Sequence, residues 1–236
     1  MSQLVTYTFE NNISLITLDD GKANVFSVQM LKELNSALDQ AEQAGSAVIL
    51  AGRENMFSGG FDLSVFKSGD NKQILEMLSL GAELSHRMLS FPLPIITACT
   101  GHAVAMGTFI LLSTDYRIGA KGNSKFAANE VAIGLTVPHF AIEVVKQRII
   151  NKHRNKAVGL AHFFDVDEAL EAGFLDQVVE ADQVLAAATL KAKEILKLDL
   201  DAHKASKLRL RGPMLSSLRE AINMISKLGK NGNYKL

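Results

Sequence analysis

Pro94-Ile95-Ile96-Thr97-Ala98-Cys99-Thr100-Gly101-His102-Ala103-Val104-Ala105-Met106-Gly107 reads as one unit of chain. Pro94 to Cys99 is a short apolar run rich in β-branched residues, the mark of a strand buried on both faces. Gly101 to Gly107 is a glycine-bounded turn, and Thr108 to Thr114 continues as an apolar helix. The same grammar stands upstream. Ala47 to Leu50 is a buried strand, and the glycine-bearing loop Gly52 to Asp62 follows it, containing Met56-Phe57-Ser58-Gly59-Gly60-Phe61-Asp62-Leu63. Open α/β sheets bind ligands where buried strands end. Glycines there let the chain turn sharply and present free N–H groups, and Met106 falls at a helix N-terminus, a setting suited to an oxyanion. Either turn alone is no more than a tight turn.

The rest of the chain fits around these two units. Val5 to Glu10 and Ile13 to Leu18 alternate apolar and polar residues about Asn11-Asn12, which predicts a hairpin. Ser27 is placed to cap a helix whose Met30, Leu31, Leu34, Leu38 and Ala41 share one face and which Gly45 closes. A long helix ends near Phe91, stopped by Pro92 and Pro94. Asp115 to Ala120 is a third strand and Leu175 to Val179 a short apolar run in a mostly helical second half. Recurring strand, helix and strand predict a mixed α/β fold. A boundary near residue 195 separates a core, 1–195, from a helical tail, 196–236. In that tail Leu215, Leu218, Ile222, Ile225 and Leu228 form an apolar stripe suited to a partner.

Composition narrows the function. The 236 residues are 47% apolar, enough to bury a sizeable core. Lys plus Arg and Asp plus Glu number 25 each, so no broad field points to nucleic acid or a membrane surface. Cys99 is the single cysteine and the N-terminus lacks a signal-peptide pattern, which together predict a cytoplasmic protein. Dinucleotide, Walker, His-Glu-x-x-His and Gly-x-Ser-x-Gly motifs are absent, and no histidines stand at metal-ligand spacing. No metal or separate cofactor is expected.

The ordered set Phe57-x-x-Gly60-x-Asp62-Leu63, Gly101-x-Ala103, Asp115-Tyr116-Arg117-Ile118, Asn129-Glu130-Val131-x-x-Gly134 and Ala172-Gly173-Phe174-Leu175-Asp176 resembles the crotonase superfamily, the enoyl-CoA hydratase/isomerase family. The match runs from Lys22-Ala23-Asn24 to about Val179. The resemblance implies an α/β spiral of ββα units with a C-terminal helical segment, a homotrimer or dimer of trimers, and an acyl-CoA substrate. It maps the two oxyanion-hole N–H groups onto Phe61 and Met106, the latter a departure from the glycine usual there. It maps coenzyme A contacts onto Lys22, Ala23, Val25, Ser58, Gly60 and Leu63. Hydratases of the family use two glutamates. The first position is Phe109 here, which cannot move a proton, and the second is Glu130.

One carboxylate beside an oxyanion hole suffices to shift a double bond, as in monofunctional Δ3,Δ2-enoyl-CoA isomerases, which the pattern resembles. Apolar Val131, Ala132, Ile133 and Phe109 are expected to raise the Glu130 pKa. Without the family context Glu130 would read as a surface carboxylate and Phe109 as one more core residue. Hydration with a single glutamate, helped by Asn129 or a histidine, and an acyl-CoA-binding relative without turnover remain the alternatives; a serine hydrolase is distant, since Ser58 has no base and orienter. His102 and His139 flank the site, Asp62 is expected to cap its loop, and Cys99 to sit in the core. The basic stretches Lys146 to Lys156 and Lys204 to Arg211 are either solvated helix faces or phosphate neutralisers.

Overall fold

The computed structural model describes residues 3–231, with the side chains of 226 and 228–231 outside the described set. The hairpin forms as the alternation predicts, with strands β1 (Val5–Glu10) and β2 (Ile13–Leu18) paired antiparallel about Asn11 and Asn12, both at positive φ. β3 (Val25–Phe26) precedes helix α1 (Val28–Ala44), which begins where Ser27 accepts a bond from Met30 N and ends on left-handed Gly45. Strands β4 (Ala47–Ala51), β7 (Ile95–Cys99), β9 (Tyr116–Ala120) and β11 (Gln177–Val179) then add in parallel, giving a six-stranded sheet in the order β1-β2-β4-β7-β9-β11. The apolar runs of β4 and β7 follow from burial on both faces. Val48 and Leu50 face the main core; Ile49, Ile96 and Ala98 face a second cluster closed by Val184, Ala188 and Ala192 of helix α8 (Val184–Ile195).

The two glycine-bearing segments, expected as loops, each contain strands. β5 (Asn55–Ser58) and β8 (Gly101–Val104) pair in parallel and take β10 (Phe126–Ala127) as third member; β6 (Gly60–Phe61) pairs with β3. At two to four residues these strands carry no alternation to read, and only tertiary pairing specifies them. The long helix before Pro92 is broken into α2 (Leu63–Ser68) and α3 (Asn71–Ser90) by left-handed Gly69 and by Asp70, which caps α3 through Lys72 N and Gln73 N. Helix α4 (Met106–Leu112) starts two residues earlier than expected, and α5 (His139–Arg148), α6 (Asn151–Val158) and α7 (Val166–Ala172) lead into β11.

The tail forms α9 (Leu200–Asn231), which lies along α3 and α5. Its stripe does not wait for a partner: Leu218, Ile222 and Ile225 are buried in the main core of this chain, and Leu215 packs against it. The Leu228 side chain lies outside the described residues. Lys207 and Arg211, read as solvated or phosphate-facing, are instead buried against Asp115. A single helix face carries both the apolar stripe and the two cations, so these cannot reach a distant phosphate. In the other basic stretch Lys146, Lys152 and Lys156 pair with Glu143, Glu171 and Glu168, and Arg148 turns inward onto Leu112 O and Thr114 O. Among the described residues no helix is long and apolar enough to cross a membrane.

Candidate active site

The two glycine-bearing units meet at their C-terminal ends. A Cβ built on Gly107 would stand 2.4 Å from Ser58 O, and one on Gly60 would stand 2.8 Å from Ala105 Cβ and 3.4 Å from Met106 N. Side chains at either position would force the turns apart, so glycine is required by close approach. The first turn is braced from below. Asn24, fully buried at φ 50°, donates to Leu18 O, Met56 O and Phe57 O and accepts from Asp20 N. Asp20 in turn accepts from the N–H groups of Lys22, Asn24 and Val25, and Arg53 donates to Lys22 O. None of Asn24, Asp20 and Arg53 was singled out as a site residue from the sequence; the positive φ of Asn24 is the signal that an Asn between two apolar residues offers.

Met106 opens α4 as its first residue, and the cap Ala105 supplies no side-chain bond to it. Ala105, not Met106, carries the strained conformation, at φ 51° and ψ −125°. Met106 is not among the residues of positive φ, so its departure from glycine costs the backbone nothing. Phe61 ends β6 on the facing turn, one residue before Asp62, which caps α2 by accepting from Ser64 N and Ser64 Oγ.

Phe61, Ala105, Gly59, Phe109, Asn129 and Glu130 all border one cavity of about 100 Å³, which α2 and α3 close with Phe66 and Leu78. Glu130 begins a short 3-10 turn, Glu130–Ile133, and is 8% exposed. Its Oε2 has no hydrogen-bond partner, and neither has Oδ1 of Asn129 beside it. Burial pushes the Glu130 carboxyl up to about 7, against a small opposing pull from its own backbone N–H. Of the four apolar residues expected to do this, Phe109 and Ile133 border the cavity, although Ile133 is itself 49% exposed, and Leu135 and Pro138 join them; Val131, 46% exposed, and Ala132 face out. A 3-10 turn sends successive side chains in different directions, so sequence neighbours of a carboxylate need not be its spatial neighbours.

Among the described residues bordering the cavity, Glu130 is the one ionisable group. Phe109, the position to which the resemblance assigns a second acid, is 1% exposed and packed edge-on to Phe140 at 6.1 Å between ring centres. Of the six residues mapped to coenzyme A, Leu63 is half exposed at the cavity rim, and Lys22, Ala23 and Val25 lie together on the braced segment. Ser58 is fully buried; its hydroxyl donates to Asn24 O at 2.6 Å and accepts from Gly60 N at 3.1 Å, and so holds the turn. His102 Nδ1 accepts from Lys125 N, a bracing role, and His139 is exposed at the start of α5. Buried Cys99 donates to Gly101 O, and burial pushes its thiol up to about 12, so it stays an inert core residue. No cluster that could hold a metal ion occurs among the described residues.

Known proteins carry the same architecture. A structure from Mycobacterium marinum described as an enoyl-CoA hydratase is 44% identical, with a TM-score of 0.91 over 95% of this chain and 98% of that one. An enoyl-CoA isomerase of Mycobacterium tuberculosis in its apo form is 40% identical, with a TM-score of 0.92 over 96% and 99%. The short-chain-enoyl-CoA hydratase of Clostridium acetobutylicum is 30% identical over 203 residues, 84% of this chain and 77% of that protein. The profile of the enoyl-CoA hydratase/isomerase family matches residues 8–231, and with the α/β crotonase fold, the facing turns and the cavity this establishes that the chain belongs to that enzyme family.

Proposed function

We propose that this enzyme is a Δ3,Δ2-enoyl-CoA isomerase working with one carboxylate. The observation that carries the reading is that, among the described residues, Glu130 is the lone ionisable group bordering the cavity, with Phe109 at the position to which the resemblance assigns a second acid. The Glu130 carboxylate takes a proton from C2 of a 3-enoyl thioester. The electron pair moves toward the thioester oxygen, whose charge is held by the N–H groups of Phe61 and Met106. The same carboxyl returns the proton to C4, leaving the double bond between C2 and C3. Proton and charge balance, and no cofactor or metal enters. A pKa near 7 suits a group that must both take and give a proton near neutrality. Coenzyme A follows Lys22, Ala23, Val25, Gly60 and Leu63 along the braced first turn, through backbone groups more than charge. The assembly is a homotrimer or dimer of trimers in the cytoplasm.

Incubation of the purified protein with 3-enoyl- and 2-enoyl-CoA thioesters tests this. The shift of the 3-enoyl substrate should dominate; rapid hydration of the 2-enoyl substrate with no shift would overturn it. One observation favours hydration as a second reading: the unpartnered Asn129 Oδ1 lies beside Glu130, where it would hold a water. The hydratase names of two relatives agree with that reading, and the isomerase name of a third with the first.

A further inference from the structure

The cavity wall that faces α3 is built in an unexpected way. A Cβ on Gly81 of α3 would meet Phe61 Cζ at 2.6 Å, Phe61 Cε1 at 2.7 Å and Met106 Cε at 3.0 Å. The tip of the Phe61 ring and the end of the Met106 side chain therefore occupy the notch left by a missing side chain on that helix. Phe66 meets the Phe61 ring edge-on at 6.4 Å. Leu78, one turn before Gly81 on the same helix face, borders the cavity, as does Phe61 itself. Gly81 has no turn or left-handed conformation to explain it: it lies inside the 20-residue helix α3 and is absent from the residues of positive φ. A glycine there weakens the helix, and its use is the space it leaves for the ring.

The two residues whose N–H groups face the reacting oxygen in the proposed function thus store their side chains against α3, and the Phe61 ring bounds what remains. That remainder is about 100 Å³.

We infer that Phe61, seated in the Gly81 notch, is the chain-length selector of this site, its ring setting an upper limit on the acyl chains that the site accepts. The inference rests on the reading of the cavity as an acyl-thioester site. Two substitutions move the wall in opposite directions. Phe61→Ala joins the notch to the cavity while leaving the residue 61 N–H in place. Gly81→Ala fills the notch and drives the ring into the cavity, in a helix where alanine is the better former, so loss of folding is not the expected result.

The test reads the binding of saturated acyl-CoA thioesters of C4 to C16, which no shift or hydration can consume. In the wild type, affinity should rise with length and then fall beyond a cut-off within this range. Phe61→Ala should move that cut-off to longer chains, with a gain of tenfold or more for C14 relative to C6, since one methylene in an apolar pocket discriminates by about 10-fold or more. Gly81→Ala should move it to shorter ones. A cut-off that stays put in both variants, moves the same way in both, or is absent from the wild type overturns the inference. If the cut-off moves as stated but neither unsaturated substrate turns over at any length, the selector stands and the isomerase reading falls.

Discussion

Among the described residues, the side chains of Asp115 and Glu130 are both largely withdrawn from solvent, and their surroundings are opposite. Asp115, with its side chain 9% exposed, accepts from Ile95 N, Lys207 Nζ and Arg211 Nη2 at 2.8, 3.0 and 2.8 Å. Burial pushes its pKa up, but Lys207, Arg211 and the Ile95 N–H outweigh that and hold the carboxyl below its ordinary value. Glu130, 8% exposed over the whole residue, meets no cation among the described residues and leaves Oε2 without a partner. There burial acts almost alone and raises the pKa to about 7. Depth does not decide the charge of a buried acid; its partners do. Asp115 is a staple that ties α9 to the starts of β7 and β9. Glu130 is left unpaired at the cavity, the arrangement that the proposed acid–base role needs.

The contrast is broken most strongly at Glu130 itself. Glu130→Gln should lower turnover by about 10²–10⁴-fold, the usual contribution of one positioned acid–base group, with an unchanged circular dichroism spectrum. Asp115→Ala, which touches no reacting atom, should leave Lys207 and Arg211 buried without a counter-charge and cost about 3–5 kcal/mol in denaturant unfolding at pH 7. Because the folded pKa of Asp115 is depressed, its stabilisation is present above the ordinary value of 3.8 and is lost as pH falls through the lower folded value. The gap between wild type and Asp115→Ala should therefore narrow in acid.

At Glu130 the sign reverses. A folded pKa raised from 4.5 to about 7 means that ionisation costs stability above pH 7 and nothing below 4.5. At 1.36 kcal/mol per unit, Glu130→Gln should be more stable than wild type by up to about 3 kcal/mol at pH 8, the gain falling away toward pH 5. An equal effect at both values would show that the gain is packing and not charge. The smallest effect belongs to Asn129→Ala, which removes one hydrogen-bonding group, worth about 1 kcal/mol or about fivefold in turnover. A loss as large as that of Glu130→Gln would favour a water-holding Asn129 and hence hydration.

The sequence made one side of this comparison legible and hid the other. Alternation about Asn11-Asn12, the Ser27 and Gly45 caps and the apolar runs of β4 and β7 are local signals, and each element formed where they stand. The order of the glycine-bearing motifs carried the family, and the absence of an acid at Phe109 is visible letter by letter. The staple was not visible. Lys207 and Arg211 look like solvated cations until α9 is laid along α3, more than ninety residues from Asp115 in the chain. β5, β6 and β8 escaped for the same reason, being strands only because they pair across long separations. Val131 and Ala132, next to Glu130 in the chain, face away from the cavity, since contact in sequence is not contact in space.

The pH dependence of kcat/KM for a 3-enoyl-CoA thioester tests the central claim, that one buried carboxylate runs the reaction, most directly. The rate should fall about tenfold per unit below an apparent pKa of about 7, level off above it, and lose this inflection in Glu130→Gln. A profile flat from pH 5 to 8, or one that survives unchanged in Glu130→Gln, would contradict it.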